Sequence, residues 1–219
     1  MKRITDNTLL HTLADYLPED PIIIEAGAFK GKDTIRMAKQ WPHGNIYAFE
    51  PVKELFDELQ ANCAPYTNIR CINLALADKV GECTFWPSEH PRRPGKASQA
   101  GSLLAPKERL KLSPITFGQA TTVQSTTLDV WAKEEGIDHI DLLWLDLQGY
   151  ELPVMQASPH LLKKTQCIWT EVHFTQAYEG QAQYQEVQQW LEMQGYTIAG
   201  KDFDEPPAWF FGNILAVRQ

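Results

Sequence analysis

Two acids and two glycines near the start of the chain have the types and spacing to hold a cation-bearing ligand. Glu25, Gly27 and Gly31 stand in the stretch Pro21-Ile-Ile-Ile-Glu-Ala-Gly-Ala-Phe-Lys-Gly31, and Glu50 closes Asn45-Ile-Tyr-Ala-Phe-Glu50. Glycine has no Cβ, so Gly27 and Gly31 let the backbone turn sharply and lie against a ligand. Phosphate sites at such turns use backbone N–H groups and a positive helix end, and the Glu25 carboxylate at the lip repels phosphate. It suits a cation, and S-adenosylmethionine carries both an ammonium and a sulfonium. Glu50 follows at roughly the 20-residue spacing at which an acid takes the ribose hydroxyls in nucleotide-binding α/β folds. That spacing alone serves a dinucleotide equally well, and Glu25 decides for S-adenosylmethionine. A nicotinamide oxidoreductase also needs G-x-G-x-x-G, which the loop lacks, and as a P-loop Gly27 to Asp33 is one residue short, with Asp33 where Ser or Thr holds magnesium.

A second set of candidates lies far along the chain: Asp146, Glu151, Glu171 and His173. Methyl transfer is an in-line displacement on an activated carbon, so alignment of donor and acceptor does most of the work. A hydroxyl acceptor must also lose a proton, which calls for a base near the methyl group. His173 is the first choice, with Asp146, Glu171 and Glu151 as alternatives. Each has a structural role to set against that one: Asp146 as a helix cap, Glu151 as an acid at a helix N-terminus, His173 as a hydrogen-bonded strand end. Asp146, Glu171 and His173 are also adequate ligands for a divalent metal, but no metal site is assigned.

The elements that must position these groups alternate between strand and helix. Ile22 to Ile24 have no polar alternation, as in a central parallel strand covered on both faces. Lys32 to Trp41 follows as a helix. Thr5 to Leu17 is expected as a leading amphipathic helix within residues 1–20, Val52 to Ala64 as a crossover helix, and Ile69 to Leu76 as the third strand. Glu82 to Trp86 is a further short strand, Thr126 to Glu135 a helix, Ile140 to Asp146 the fourth parallel strand, and Glu151 opens a helix that takes Pro153 in its first turn. Cys167 to His173 is the fifth strand, Tyr184 to Gln194 a helix, and Tyr196 to Ala199 with Asn213 to Val217 a hairpin at the sheet edge. Such alternation implies a doubly wound α/β sheet.

Residues 87–122 break the pattern. They are rich in Pro, Ser and Gly and carry Arg92, Arg93, Lys96, Lys107, Arg109 and Lys111. Stretches beyond about 15 residues without regular structure are usually lids, binding loops or mobile connections, and a lid-like insertion is the reading adopted. Its charge suggests an anionic acceptor.

The 219 residues suit one catalytic domain spanning 1–219, and a net charge of −8 disfavours a broad nucleic-acid or anionic-membrane surface. No apolar run reaches membrane-spanning length, and a cytoplasmic location is expected. Cys63, Cys71, Cys83 and Cys167 form no C-x-x-C and are read as reduced.

An ordered set of motifs then resembles the FkbM family of S-adenosylmethionine-dependent methyltransferases: Glu25-Ala-Gly-Ala-Phe-Lys-Gly31, Phe49-Glu-Pro51, Asn73-Leu-Ala-Leu-Ala-Asp78, Thr127-Leu-Asp129, Ile140-Asp-Leu-Leu-Trp-Leu-Asp-Leu-Gln-Gly-Tyr-Glu151 and Glu171-Val-His173. The resemblance covers Pro21 to the C-terminus. It implies a Rossmann-like class I methyltransferase fold with a seven-stranded, mostly parallel sheet of order 3-2-1-4-5-7-6. Cofactor-binding positions would be Glu25, Gly27, Ala28, Phe29, Gly31, Glu50, Pro51, Ala77, Asp78 and Asp146, with Ala77 and Asp78 near the adenine. The family often has Asp where Glu25 stands and Ala-Asn where Ala28-Phe29 stands. The implied reaction is O-methylation of a hydroxyl on a sugar, a glycan- or lipid-linked acceptor, or a secondary metabolite. A non-catalytic scaffold that keeps the fold is the alternative.

Overall fold

The computed structural model describes residues 2–90, 92–93, 95–204 and 207–219. Ile23 and Ile24 are fully buried, on opposite faces of the strand that carries them. Each such side chain gains about 1.5–3 kcal/mol on leaving water, which drives the strand to the middle of a two-layered core. The chain begins with β1 (Lys2–Arg3) and α1 (Leu9–Ala14). It continues through that central strand, β2 (Ile22–Ala26), then α2 (Lys32–Gln40), β3 (Asn45–Phe49), α3 (Lys53–Cys63) and β4 (Ile69–Ile72). Next come β5 (Ala75–Leu76), β6 (Gly81–Phe85), β7 (Ser88–Glu89), α4 (Arg109–Leu112), β8 (Thr116–Phe117) and β9 (Thr121–Thr126). The last third holds α5 (Leu128–Glu135), β10 (Ile140–Leu145), α6 (Glu151–Gln156), α7 (Pro159–Leu162), β11 (Thr165–His173), α8 (Tyr184–Met193), β12 (Tyr196–Lys201) and β13 (Phe211–Arg218).

The main sheet has the order β1-β12-β13-β11-β10-β2-β3-β4, with β13 the antiparallel member. On one face Ile24, Leu143, Leu145 and Ile168 pack on Trp131, Val154, Met155 and Leu191 from α5, α6 and α8. On the other, Ile23, Leu142, Trp144 and Trp169 pack on Leu9, Leu13, Met37 and Trp41. Because side chains alternate along a strand, Trp144 and Asp146 share the second face, and so do Trp169 and Glu171.

Several expectations change. The sheet has eight strands, not seven, because Lys2–Arg3 pairs with Gly200 and Lys201 and covers the edge of β12. The leading helix shrinks from Thr5–Leu17 to Leu9–Ala14 for the same reason, since the Ile4 N–H is bonded to the Lys201 carbonyl (2.8 Å). The expected third strand breaks at Asn73, whose amide donates to the carbonyls of Glu50 and Pro51 (2.9 and 3.1 Å). Its second half, β5, joins β9 and β6 in a separate three-stranded sheet. Strand β9 lies where the lid and the following helix meet, and its polar Thr-Thr-Val-Gln-Ser-Thr sequence hid it. β12 and β13 pair as antiparallel neighbours with β13 beside β11, as the order 3-2-1-4-5-7-6 has it, and β1 takes the edge beyond them. The 87–122 stretch is not irregular throughout, since β7 pairs with β8 and α4 follows residues 105–107, which bond to residues 177–179.

A Cβ added to Gly200 would fall 2.5 Å from Ile4 Cδ1 and 3.1 Å from the Lys2 carbonyl oxygen. Gly200→Ala is therefore expected to destabilise the protein by about 1–3 kcal/mol. In urea unfolding, Ile4→Ala should cost less in the Gly200→Ala background than in the parent chain, because the two substitutions share one contact.

Candidate active site

The loop after β2 is wedged between the ends of β3 and β10. Gly27 and Ala28 donate their N–H groups to the Phe49 carbonyl (3.1 and 3.0 Å), and Asp146 donates its own to the Ala26 carbonyl (3.0 Å). Gly27 has φ +87°, and a Cβ there would lie 2.0 Å from the Asp146 carbonyl oxygen. Only glycine fits. Phe29 also takes a left-handed backbone (φ 51°), which turns its N–H onto Glu50 Oε2 (3.1 Å). The Val52 N–H donates to Glu50 Oε1 (2.9 Å). Burial pushes Glu50 up to about 7, and the two N–H donors pull against that rise. Glu25 is buried beneath the loop, accepts the Thr34 hydroxyl proton, and is pushed up to about 8 chiefly by burial, with the charges of Asp33 and Asp146 adding.

Above this loop is a cleft of about 760 Å³, counted to its open mouth. Gly27, Phe29, Glu50, Pro51 and Asp146 line it, and so do Leu76 and Tyr150. The facing wall comes from the insertion, at Pro87, Ser88, residues 97–99 and Gly101 to Leu103. None of the described lysines or arginines of the insertion lines it, so its charge says nothing about a ligand in this cleft. The other cofactor candidates stand behind the lining. Ala28 packs with Leu59 and Cys63, Gly31 abuts the same two side chains, and Ala77 is buried beside Cys83 and Phe85. Asp78 accepts the Tyr150 hydroxyl proton (2.8 Å).

The four candidate bases are not equivalent. Asp146 is half-buried in the cleft, and Gln148 donates to its Oδ1 (2.8 Å). Burial and the neighbouring Glu171 charge push Asp146 up to about 7. Glu151 points away from the cleft, its Oε1 accepting the N–H groups of Leu147 and Gly149 (2.8 and 3.2 Å) and fixing the loop between β10 and α6. Glu171 is buried behind Gln148, whose amide also reaches both its oxygens (3.2 and 3.1 Å). Burial pushes Glu171 up to about 8, against the pull of Arg109. His173 is buried, and it lines a different cavity with Phe174, Tyr184 and Phe203. Its Nε2 comes within 2.6 Å of Glu171 Oε1, yet the approach is off the N–H axis and neither ring nitrogen makes an aligned hydrogen bond. Burial lowers its pKa. Of the four, Asp146 alone is in the cleft. Among the described residues no group of three or more His, Cys, Asp or Glu side chains is arranged to hold a metal ion.

Sequence reasoning passed over Gln148, Tyr178 and Arg109. Gln148 has a left-handed backbone (φ 53°), which sets its side chain between two acids. The Tyr178 hydroxyl reaches Gln148 Oε1 (3.1 Å) and the Ala100 carbonyl (2.8 Å), and Ser102 donates to the Gln148 carbonyl (2.9 Å). Arg109 is buried with its guanidinium 5.0 Å over the Phe210 ring. The signal available for Gln148 was its place directly after a strand-terminal acid, in Asp146-Leu-Gln-Gly149.

The sequence matches the Methyltransferase FkbM domain over residues 25–198. The chain belongs to the FkbM methyltransferase family. It is similar to the 2-O-methyltransferase NoeI of Sinorhizobium fredii, with 31% identity over 163 residues, covering 74% of this chain and 67% of that one. It is also similar to methyltransferase sdnD of Sordaria araneosa, 28% identical over 165 residues that cover 64% of this chain and 61% of sdnD. In fold it resembles the magnesium protoporphyrin IX methyltransferase ChlM of Synechocystis with bound S-adenosylmethionine (TM-score 0.54, 14% identity, covering 97% of this chain and 77% of that one). TrmK of M. capricolum, in complex with S-adenosylhomocysteine, shares the fold too (TM-score 0.55, 10% identity, covering 100% and 70%). This is the Rossmann-like class I methyltransferase fold, and the cofactor of this FkbM chain is S-adenosylmethionine. Asp146 is an acid of the cleft floor, whereas Glu25, expected at the lip of the loop, lies beneath it on the Thr34 hydroxyl and does not line the cleft. No helix among the described residues is long and apolar enough to cross a membrane.

Two outcomes follow for this FkbM protein. Gly27→Ala should lower S-adenosylmethionine affinity at least tenfold by calorimetry, because the loop cannot keep both its φ and its approach to Asp146. The second concerns pH. Glu25, Glu50, Asp146, Glu151 and Glu171 titrate at about 7 to 8 when folded, and Asp and Glu titrate near 4 in an unfolded chain. The folded state therefore binds more protons across that window, and stability falls as pH rises through it. Urea unfolding without cofactor should give a larger free energy at about pH 5.5 than at about pH 8.5, and Glu25→Gln should shrink the difference.

Proposed function

We propose that this chain transfers a methyl group from S-adenosylmethionine to a hydroxyl of a sugar or other polyhydroxylated small molecule. The observation that carries the reading is the position of Asp146, a carboxylate held by Gln148 at the floor of the cleft beside Gly27. The similarity to a 2-O-methyltransferase supports oxygen as the accepting atom.

Glu50 takes the ribose hydroxyls in this reading, and the Gly27 backbone allows the cofactor's amino-acid end to lie close to β10. Asp146 supplies negative charge for the cationic end, Glu25 braces the loop from beneath through Thr34, and Pro51 and Leu76 form apolar walls. The bound cofactor supplies a methyl carbon already activated by its sulfonium. The protein's task is to hold the acceptor oxygen in line with that carbon and to take its proton. Asp146 accepts the hydroxyl proton as the O–C bond forms and the C–S bond breaks, leaving a methyl ether, S-adenosylhomocysteine and a neutral carboxyl that returns its proton to solvent. A carboxyl raised to about 7 is a stronger base than an ordinary one and is ionised often enough near neutral pH to serve. Glu171, Glu151 and His173 act as positioning residues, through Gln148 and the loop that carries it.

Asp146→Asn should lower turnover about 100-fold or more and remove the limb of the pH–rate profile near 7. Glu50→Ala, folded by circular dichroism, should weaken S-adenosylmethionine binding about 10- to 100-fold, the worth of hydrogen bonds to a charged group. Unchanged cofactor affinity in Glu50→Ala, or full turnover in Asp146→Asn on an acceptor found by screening for a mass gain of one methylene, would sink the assignment.

A further inference from the structure

A second cavity, of about 580 Å³ counted to its mouth, meets the cofactor cleft at Asp146. Asp146 is the single described residue that lines both. The second cavity lies on the face of the sheet that carries Trp144 and Trp169, under the segment Ile4 to Asp6. A donor and an acceptor that meet at one carboxylate need two such chambers opening on it.

The walls say what the second chamber favours. Trp144 and Trp169, with centroids 6.0 Å apart and planes at 53°, are 7% and 4% exposed, so each gives the cavity a narrow apolar strip while the rest of its ring stays in the core. Asp202 and Asn213 lock together, Oδ1 accepting the Asn213 N–H and Oδ2 its amide, both at 2.7 Å. Arg36 is engaged as well, its Nη1 lying 2.6 Å from Asp33 and 2.7 Å from Asp6, with Nη2 donating to the Asp6 carbonyl (2.9 Å). The polar groups are therefore held in place before any ligand arrives. Four carboxylates, those of Asp6, Asp33, Asp146 and Asp202, face the cavity with Arg36 as the single cation among its lining residues. An anion is repelled by that balance, whereas hydroxyl groups find abundant acceptors.

We propose that this second cavity receives the acceptor and selects a polyhydroxylated ring that carries no negative charge, seated by the apolar strip of Trp144 and Trp169 and hydrogen-bonded by Asp202 and Asn213. The proposal rests on the O-methyltransferase reading above, and it replaces the anionic acceptor suggested by the basic insertion.

The test is saturation-transfer NMR on the whole chain loaded with S-adenosylhomocysteine, using a panel of methyl glycosides, with glucose 6-phosphate as the anionic counterpart. At least one neutral glycoside should give a signal, with glucose 6-phosphate at least tenfold weaker. Asp6→Trp, which fills the mouth from an exposed position, should abolish the glycoside signal while S-adenosylhomocysteine affinity by calorimetry stays within about twofold. Asn213→Ala is the second variant and should weaken the signal about threefold or more, the worth of one hydrogen bond. A glycoside signal unchanged in both folded variants overturns the proposal, and so does phosphate binding equal to neutral binding. Absence of any glycoside signal in the loaded parent chain overturns it too. Failure of the parent to bind S-adenosylhomocysteine strikes the methyltransferase reading instead, and the calorimetry reports that separately.

Discussion

The contact between Gly27 and the Asp146 carbonyl governs the site. It brings the first glycine of the loop so close to the end of β10 that no side chain fits between them. The register of the sheet makes this contact obligatory. Ala26 pairs with Leu145, so the residue after each falls side by side at the carboxyl edge. The paired strands are buried on both faces, and a slip of one residue would turn Ile23, Ile24, Leu142 and Leu143 to the wrong layers. Hydrophobic packing deep in the sheet thus sets the Gly27 backbone and the Asp146 carbonyl side by side at its rim. The cleft, the approach of Glu50 to the loop and the common wall of the two cavities are consequences of that register.

Around this contact the chain gathers five carboxyls whose ionisation is opposed by burial, which a fold selected for stability alone would avoid. Burial raises them, and the manner of their support limits how far they are pulled back. Gln148 gives hydrogen bonds to both Asp146 and Glu171 without adding a positive charge. A lysine or arginine in its place would pull both pKa values down and remove the basicity of Asp146. Arg109 acts on Glu171 and comes from the insertion. The groups nearest the cleft therefore keep their affinity for protons, and the one cation of the cluster is held behind them.

Much of this was legible in the sequence, and the limits have physical causes. The pattern of β-branched strand, acid, glycine and second strand-terminal acid is local in the chain, so Glu25, Gly27 and Glu50 stand out by spacing. Asp146, Glu171 and His173 were legible as acids and a histidine at or near the carboxyl ends of two neighbouring strands. That placement does not fix depth or what covers a residue, and His173 falls in another cavity because Tyr178, Phe210 and Phe211 enclose its ring. Arg109 and Tyr178 gain their roles from contacts distant in the chain, those of Tyr178 reaching Gln148 and Ala100 at separations of 30 and 78 residues, which no short window on the sequence contains. β1 and β9 escaped for opposite reasons: β1 has only two residues, and β9 carries mostly polar side chains that satisfy a small, half-exposed sheet.

The insertion is the part whose sequence misled most, because its charge suggested a ligand that its structure does not present to the cleft. Its function follows from backbone and small side chains instead. Ser102 holds the Gln148 carbonyl, the Ala100 carbonyl meets the Tyr178 hydroxyl, and the same stretch forms one wall of the cleft. A molecule that fills the cleft therefore touches the segment that fixes Gln148, and Gln148 fixes Asp146. The wall of the cleft and the Asp146 carboxylate are connected through two hydrogen bonds, Ser102 to the Gln148 carbonyl and the Gln148 amide to Asp146. That connection gives a physical reason for a long excursion from an otherwise short-looped α/β domain: the segment closing the cleft also holds Gln148, and through it the carboxylate proposed as the base.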